Sequence, residues 1–306
     1  MRHTVTAQAE QPVWIDGGKG PILGIVTTAP DAIGNVVVCA GGWHGGSTNA
    51  NRMVVRLARR LAAGGRTVVR FDWHGSGESP GHVRFFRLDE PEVGNALGAT
   101  ALARRHADLP TALVGVCIGT RAALAIAADI PNLHGLVLVS FPLPTARAKT
   151  KRAGRIGAGA ALREAVRPAA VRGWFQPATR RVYVKFVRLK WQAVTRKLRP
   201  RRTAADAEVQ RRTAASVTDL DVLVSQIAAL VDRQVPVLFL FGDQDAAYEQ
   251  FVAAQDGVLG DVLRRGAGNV TVDVVAGDLS GYSSLDSQTA FLDIVTGWLE
   301  RPVPQS

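Results

Sequence analysis

Residues 115–120 read GVCIGT, set between an apolar run, TALVG (111–115), and a stretch of helical character, GTRAALAIA (119–127). A residue with a glycine two positions away on each side, at the turn from strand to helix, has the spacing of a nucleophile elbow. The glycines let the chain turn sharply, so the central side chain stands clear of the sheet and the next N–H faces a developing oxyanion. Cys117 is therefore the candidate nucleophile, and the Ile118 amide the candidate first oxyanion donor. A cysteine at a strand end also packs well as a small hydrophobe, and that alternative stays open.

Outward from the elbow, apolar runs alternate with helical patterns. VWIDGG (13–18) and PILGIVTTA (21–29) read as early strands, NVVVCAGG (35–42) as a buried strand and NRMVVRLARRLAAGG (51–65) as an amphipathic helix stopped by glycine. RTVVRFD (66–72), a helix within 91–110, LHGLVLVSF (133–141), a helix near 216–234, VPVLFLFG (235–242), a helix around Tyr248–Ala254, VTVDVVAG (270–277) and a terminal helix continue the alternation. Nearly continuous apolar strands separated by helices predict a mostly parallel sheet of about eight strands with both faces covered. The alternation pauses over 143–215, which is expected to be a helical cap inserted into one core formed by 1–142 and 216–306.

Net charge is +11 over 306 residues, and eighteen Lys or Arg stand against the single acid Glu164 between Arg147 and Arg202. WFQPATRRVYVKFVRLKWQAVTRKL (174–198) mixes those cations with aromatics. Such a surface steers toward acidic partners. An acidic acyl carrier protein, met through Arg180, Arg181, Lys185 and Arg188, is preferred over an anionic membrane surface, and nucleic acid is disfavoured because no recognition motif accompanies the charge. Two cysteines, Cys39 and Cys117, make neither a disulfide framework nor a metal cluster, so no metal or other cofactor is expected. Without a signal-like start or a run of roughly 20 apolar residues, a cytoplasmic location is expected, with peripheral membrane contact as an option.

Three further stretches bear on chemistry. AGGWHGG (40–46) follows a strand, and Gly42 and Trp43 are its candidate oxyanion donors, with His44 in the same loop as a possible base. In FDWHGSGES (71–79), Asp72 and His74 read as structural parts of a turn. FLFGDQDAAYEQF (239–251) places Asp245 just after a buried strand, where a triad acid would orient a histidine, with Asp243 as competitor. That histidine is absent: the six are His3, His44, His74, His82, His106 and His134, and the loop after the last strand, VVAGDLSGYSS (274–284), carries Leu279 where the base is expected.

Taken together, these stretches resemble the α/β-hydrolase superfamily and, within it, serine-aminopeptidase-like hydrolases of the exosortase A-associated hydrolase 1 type. The likeness rests on VVVCAGG, RTVVRFDWHGSGES, GVCIGT, RRVYVKFVRLKWQAVTRKL and FGDQDAAYEQF. It implies an α/β-hydrolase fold and ester, thioester or acyl-transfer chemistry, with Cys117 as nucleophile, Asp245 as acid and a vacant base position at Leu279. A cysteine is nucleophilic enough to be acylated by an activated thioester with little base, whereas release by water is harder. An acyltransferase or thioesterase acting through a Cys117 acyl-enzyme on an acyl-bearing small molecule is therefore expected. The alternative is an acyl-ligand-binding or accessory protein without turnover. Cys39, on a strand expected beside the elbow strand, could approach Cys117 for redox pairing or a supporting contact, and in a reducing compartment both are expected as free thiols.

Overall fold

The computed structural model describes residues 9–41, 46–82, 90–144 and 219–300. Eight strands form one sheet: β1 (Glu10–Asp16), β2 (Pro21–Thr27), β3 (Gly34–Cys39), β4 (Arg66–Phe71), β5 (Thr111–Val116), β6 (Leu133–Val139), β7 (Val237–Gly242) and β8 (Val270–Val275). Their order is β1-β2-β4-β3-β5-β6-β7-β8. Strands β1, β2 and β4 pair antiparallel, and every other pairing is parallel. This is the α/β-hydrolase fold, and the expected mostly parallel sheet of eight strands is what the chain forms.

Alternation along each strand sorts side chains to two faces. On β3, Val37 and Cys39 enter one core and Val36 and Val38 the other. The first face is covered by α2 (Val93–His106), α3 (Gly119–Ala127), a helix α4 over 219–232, α5 (Ala246–Ala254) and α6 (Val258–Arg265). The second is covered by α1 (Met53–Ala63) and α7 (Leu285–Leu299). Helix α1 buries Met53, Val54, Leu57, Ala58 and Leu61, the stripe that a 3.6-residue period places on one side, and turns its arginines away. Burying each of Met53, Val54, Leu57 and Leu61 is worth about 1.5–3 kcal/mol of transfer free energy. Central strands β3, β4, β5 and β7 are buried at every position, whereas the edge strand β8 exposes Val272 and Val274.

Strand β6 ends at Val139 and its parallel neighbour β7 starts at Val237, so the sheet continues across the long basic insertion. Of the expected cap, residues 145–215 lie outside the described residues. Helix α6 was not anticipated from the sequence; its apolar residues Val258, Leu259, Val262 and Leu263 do recur at helical spacing, but over only eight residues. Among the described residues, no helix is long and apolar enough to cross a membrane.

Candidate active site

Strand β5 ends at Val116, helix α3 begins at Gly119, and Cys117 stands on the turn between them with φ +50°. A left-handed backbone at a residue with a Cβ costs about 1–3 kcal/mol and persists only where its surroundings hold it. Here the Cys117 amide donates to the Val139 carbonyl on β6 at 2.8 Å, and the Cys117 carbonyl accepts from the Thr120 amide at 3.0 Å and hydroxyl at 2.5 Å. Both elbow glycines are sterically required. A Cβ on Gly115 would lie 2.5 Å from the Thr120 Cα, and one on Gly119 would strike the Cys39 carbonyl. Gly41 leaves room for Cys117 in turn, since its own Cβ would sit 3.3 Å from that of Cys117.

The Cys117 side chain is partly buried, and the Ile118 amide donates to it. Burial pushes the thiol above its ordinary pKa, and the nearby Asp245 carboxylate adds to the rise against the opposing Ile118 N–H. Free thiol, not thiolate, is therefore the resting form near neutrality. Cys39 is wholly buried, and burial pushes its pKa up to about 12. It belongs to the core on one face of the sheet while Cys117 packs against the core on the other, and both are free thiols. The two expected thiols thus pack with different cores, one on each face of the sheet.

Asp245 follows β7 and is buried. Its Oδ2 accepts from the Ser140 hydroxyl at 2.5 Å and the Gly242 amide at 2.9 Å, and its Oδ1 from the Leu279 and Ser280 amides at 3.0 and 3.1 Å. The carboxylate thereby clamps the end of β6, the end of β7 and the loop after β8. Burial raises its pKa, as does the hydrogen-bonded carboxyl of Asp278, while the Ser140, Gly242 and Ser280 donors oppose the rise. For Asp278 burial acts upward too, but hydrogen bonds from Asp245 and Ser280 outweigh it and hold the group below the usual carboxylate range. Asp243, the competitor, is exposed and accepts only the Gly277 amide at 2.8 Å, which makes it a turn anchor.

Leu279 is fully buried in the same apolar cluster as Val116, Val139, Tyr282 and Phe291, against which Cys117 packs. At the expected base position the chain thus has hydrocarbon, and no described histidine supplies the missing imidazole. His74 donates its amide to Asn95 at 2.8 Å and lays its ring over Gly20 and Gly81. His82 and His106 are exposed. His134 lies beside Arg66 and the Leu299 carbonyl, with its pKa lowered by burial and then by Arg66. Asp72 anchors its turn, accepting the Ser47 amide at 2.6 Å and the Glu78 amide at 3.0 Å. Gly42, Trp43 and His44, and the cap residues Arg180, Arg181, Lys185 and Arg188, lie outside the described residues. Among those described, no group of three or more His, Cys, Asp or Glu side chains could hold a metal ion.

Two residues of this site escaped the sequence reading. Ser140, at the end of β6 with φ +49°, carries one of the four donors to Asp245. Tyr282 is buried in the cluster that meets Cys117. Neither sits in a recognisable motif, although a serine directly after the buried strand LHGLVLV was a visible signal for a polar contact at the sheet's C-terminal edge.

An α/β-hydrolase sheet with a nucleophile-type elbow at Cys117 and an acid after β7 defines the class. Residues 32–254 match the family model described as serine aminopeptidase, S33, and the chain belongs to that family. Among curated proteins, none matches the sequence. Solved structures similar to the chain include a dienelactone hydrolase from Anabaena variabilis, 14% identical over 97% of this chain and 99% of that one, with a TM-score of 0.57. An esterase from Pyrococcus furiosus is 12% identical over 97% and 92%, with a TM-score of 0.57. A proline iminopeptidase from Mycobacterium smegmatis is 20% identical over 94% and 97%, with a TM-score of 0.51. At these identities the likeness speaks for the fold.

Proposed function

We propose that the chain is a cysteine-dependent acyl-transfer enzyme that takes an acyl group from an activated thioester or ester onto Cys117. The observation that carries this reading is the elbow itself: a thiol held at a strained φ of +50°, partly accessible and met by the Ile118 amide. Backbone strain kept at a partly exposed thiol on a strand-to-helix turn supports this reading. In the reaction the Cys117 sulfur, as thiolate, adds to the acyl carbonyl. The bond to the leaving thiolate or alkoxide then breaks, and the proton lost by Cys117 ends on that leaving group. The Ile118 N–H lies at the N-terminus of α3, where helix-end amides favour developing negative charge.

Leu279 in place of an imidazole sets the balance between hydrolysis and transfer. Water needs a base to attack a thioester, and Asp245 is engaged by four donors. A bound thiol or amine acceptor is the better nucleophile, so transfer is favoured over hydrolysis. The same leucine supports a second reading, a protein that binds an acyl ligand without turnover. Within the S33 family, the resemblance of the motif string to the exosortase A-associated hydrolase 1 type supports reading the chain as a member of that subgroup. The basic segment between Arg147 and Arg202, proposed as part of an inserted cap, favours an acyl donor carried on an acidic carrier protein, in the cytoplasm.

Incubation of the intact protein with short and long acyl thioesters, followed by peptide mass spectrometry, is expected to give a single adduct on Cys117. Buried Cys39 should stay unmodified, and Cys117→Ala should take up none. Ligand binding without any Cys117 adduct would favour the second reading.

A further inference from the structure

Strand β8 closes the sheet at one side, and among the described residues no strand pairs with its outer edge. The bonds around it show which peptide groups face outward. The Val237 amide donates to the Asn269 carbonyl at 2.8 Å and the Asp243 amide to the Val275 carbonyl at 2.9 Å, so the odd-numbered residues turn their N–H and C=O toward β7. Val270, Val272 and Val274 therefore turn theirs to the open edge. Two of those outward amides are taken locally, Val270 by the Gly266 carbonyl at 2.7 Å and Val274 by Asp273 Oδ1 at 2.8 Å.

The same three valines share one face of the sheet, with Thr271 and Asp273 on the other. Val272 and Val274 lie beside Phe239 and Phe241 of β7, continuing a buried aromatic row outward, and they are 41% and 37% exposed. On the same side Val252 is exposed, one turn after Tyr248, whose ring meets Phe241 at 5.7 Å. Proline, lysine and bulges commonly keep an edge from pairing, and β8 has none of them. Its one charge, Asp273, is folded back on the Val274 amide. The opposite edge strand, β1, is blunted by Pro12.

We propose that β8 pairs with the β8 of a second copy of the chain, antiparallel about a two-fold axis through Val272, joining the two eight-stranded sheets into one. The occupant follows from the strand's own near-palindrome, VTVDV (270–274). With Val272 opposite Val272, Val270 falls opposite Val274 and Thr271 opposite Asp273. Every valine then meets a valine on one face, and on the other each carboxylate meets a hydroxyl that can donate to it. The backbone agrees, because Val272 is an outward residue and the two copies exchange a pair of N–H···O bonds at the axis. As Asp273 turns to the facing threonine, each Val274 amide is released to donate to the Val270 carbonyl of the other copy. Other registers fail. A one-residue slip opposes outward to inward peptide groups, an axis through Asp273 sets two carboxylates face to face, and an axis through Thr271 sets Val274 against Gly268, outside the strand.

Light scattering of the full-length protein from the micromolar to the submillimolar range is expected to show a monomer giving way to a dimer. Val272→Lys sets two ammonium groups opposite each other and should raise the dimer dissociation constant about tenfold or more. In a Cys117→Ala background, Val272→Cys should form a disulfide-linked dimer on mild oxidation, since paired residues at the axis hold their Cα atoms about 5.5 Å apart, within disulfide reach. Thr271→Cys, which faces Asp273 of the other copy, should cross-link only when mixed with Asp273→Cys. The cross-linking decides the matter even if the lysine variant folds poorly. A protein monomeric throughout the range, a dimer indifferent to Val272→Lys, or equal self-linking at positions 271 and 272 would overturn the proposal. None of these outcomes depends on the chemistry of Cys117.

Discussion

Leu279→His is expected to raise the alkylation rate of Cys117 at pH 7 about a hundredfold, equivalent to lowering the thiol pKa by two units. The Leu279 amide already donates to Asp245 Oδ1 at 3.0 Å, so a side chain at this position starts beside the carboxylate that would orient an imidazole. Leu279 also belongs to the cluster on which Cys117 packs. An imidazole placed there stabilises the thiolate as an ion pair, and the pH dependence of alkylation should change from a steady rise to a plateau. The gain carries a stability cost of about 2–4 kcal/mol, since a fully buried leucine is lost and a polar ring takes its place. Alkylation kinetics followed by intact mass, with thermal melting of the same samples, measure both effects. An unchanged rate in a folded variant would mean that position 279 does not command the sulfur.

Asp245→Ala should destabilise the protein by about 4 kcal/mol, because four donors lose their acceptor and two or more of them stay buried. The Ser140 hydroxyl and the Gly242, Leu279 and Ser280 amides converge on this carboxylate from segments far apart in the chain. Asp245→Asn keeps the shape but turns an N–H₂ toward two donors, and an intermediate loss of about 2–3 kcal/mol is expected. Urea denaturation gives the values directly. An acid that served only to orient a catalytic base would leave the unfolding midpoint in place, so a large shift identifies Asp245 as the clamp of this end of the sheet.

Features carried by local periodicity were legible in the sequence. The alternation of apolar runs and helical stripes located the strands, and the glycine spacing around Cys117 located the turn that now shows φ +50°. Asp245 was found as a polar residue directly behind a buried strand, but its role was not legible. Which donors surround it depends on contacts with residues 105 and 34 positions away. Spacing along the chain says nothing about such convergence. The separation of Cys39 from Cys117 was half visible: parity along β3 assigns Cys39 a face, whereas Cys117 lies past the end of β5, where parity no longer applies. Tyr282 gave no signal at all, since an aromatic in a loop reads as packing until its hydroxyl is seen to have no partner among the described residues. The oxyanion candidates Gly42 and Trp43, His44 and the basic segment lie outside the described residues.

The most direct test of a thiol that works without an imidazole is the rate of Cys117 alkylation in the wild-type protein as a function of pH. Burial and the Asp245 charge hold this thiol above its ordinary pKa, so the thiolate fraction grows with every step in pH up to and beyond the usual thiol range. The rate should therefore climb about tenfold per pH unit from pH 6 to pH 9, with no plateau near neutrality. A rate already level below pH 7 would reveal a thiolate–imidazolium pair at the elbow and contradict the account.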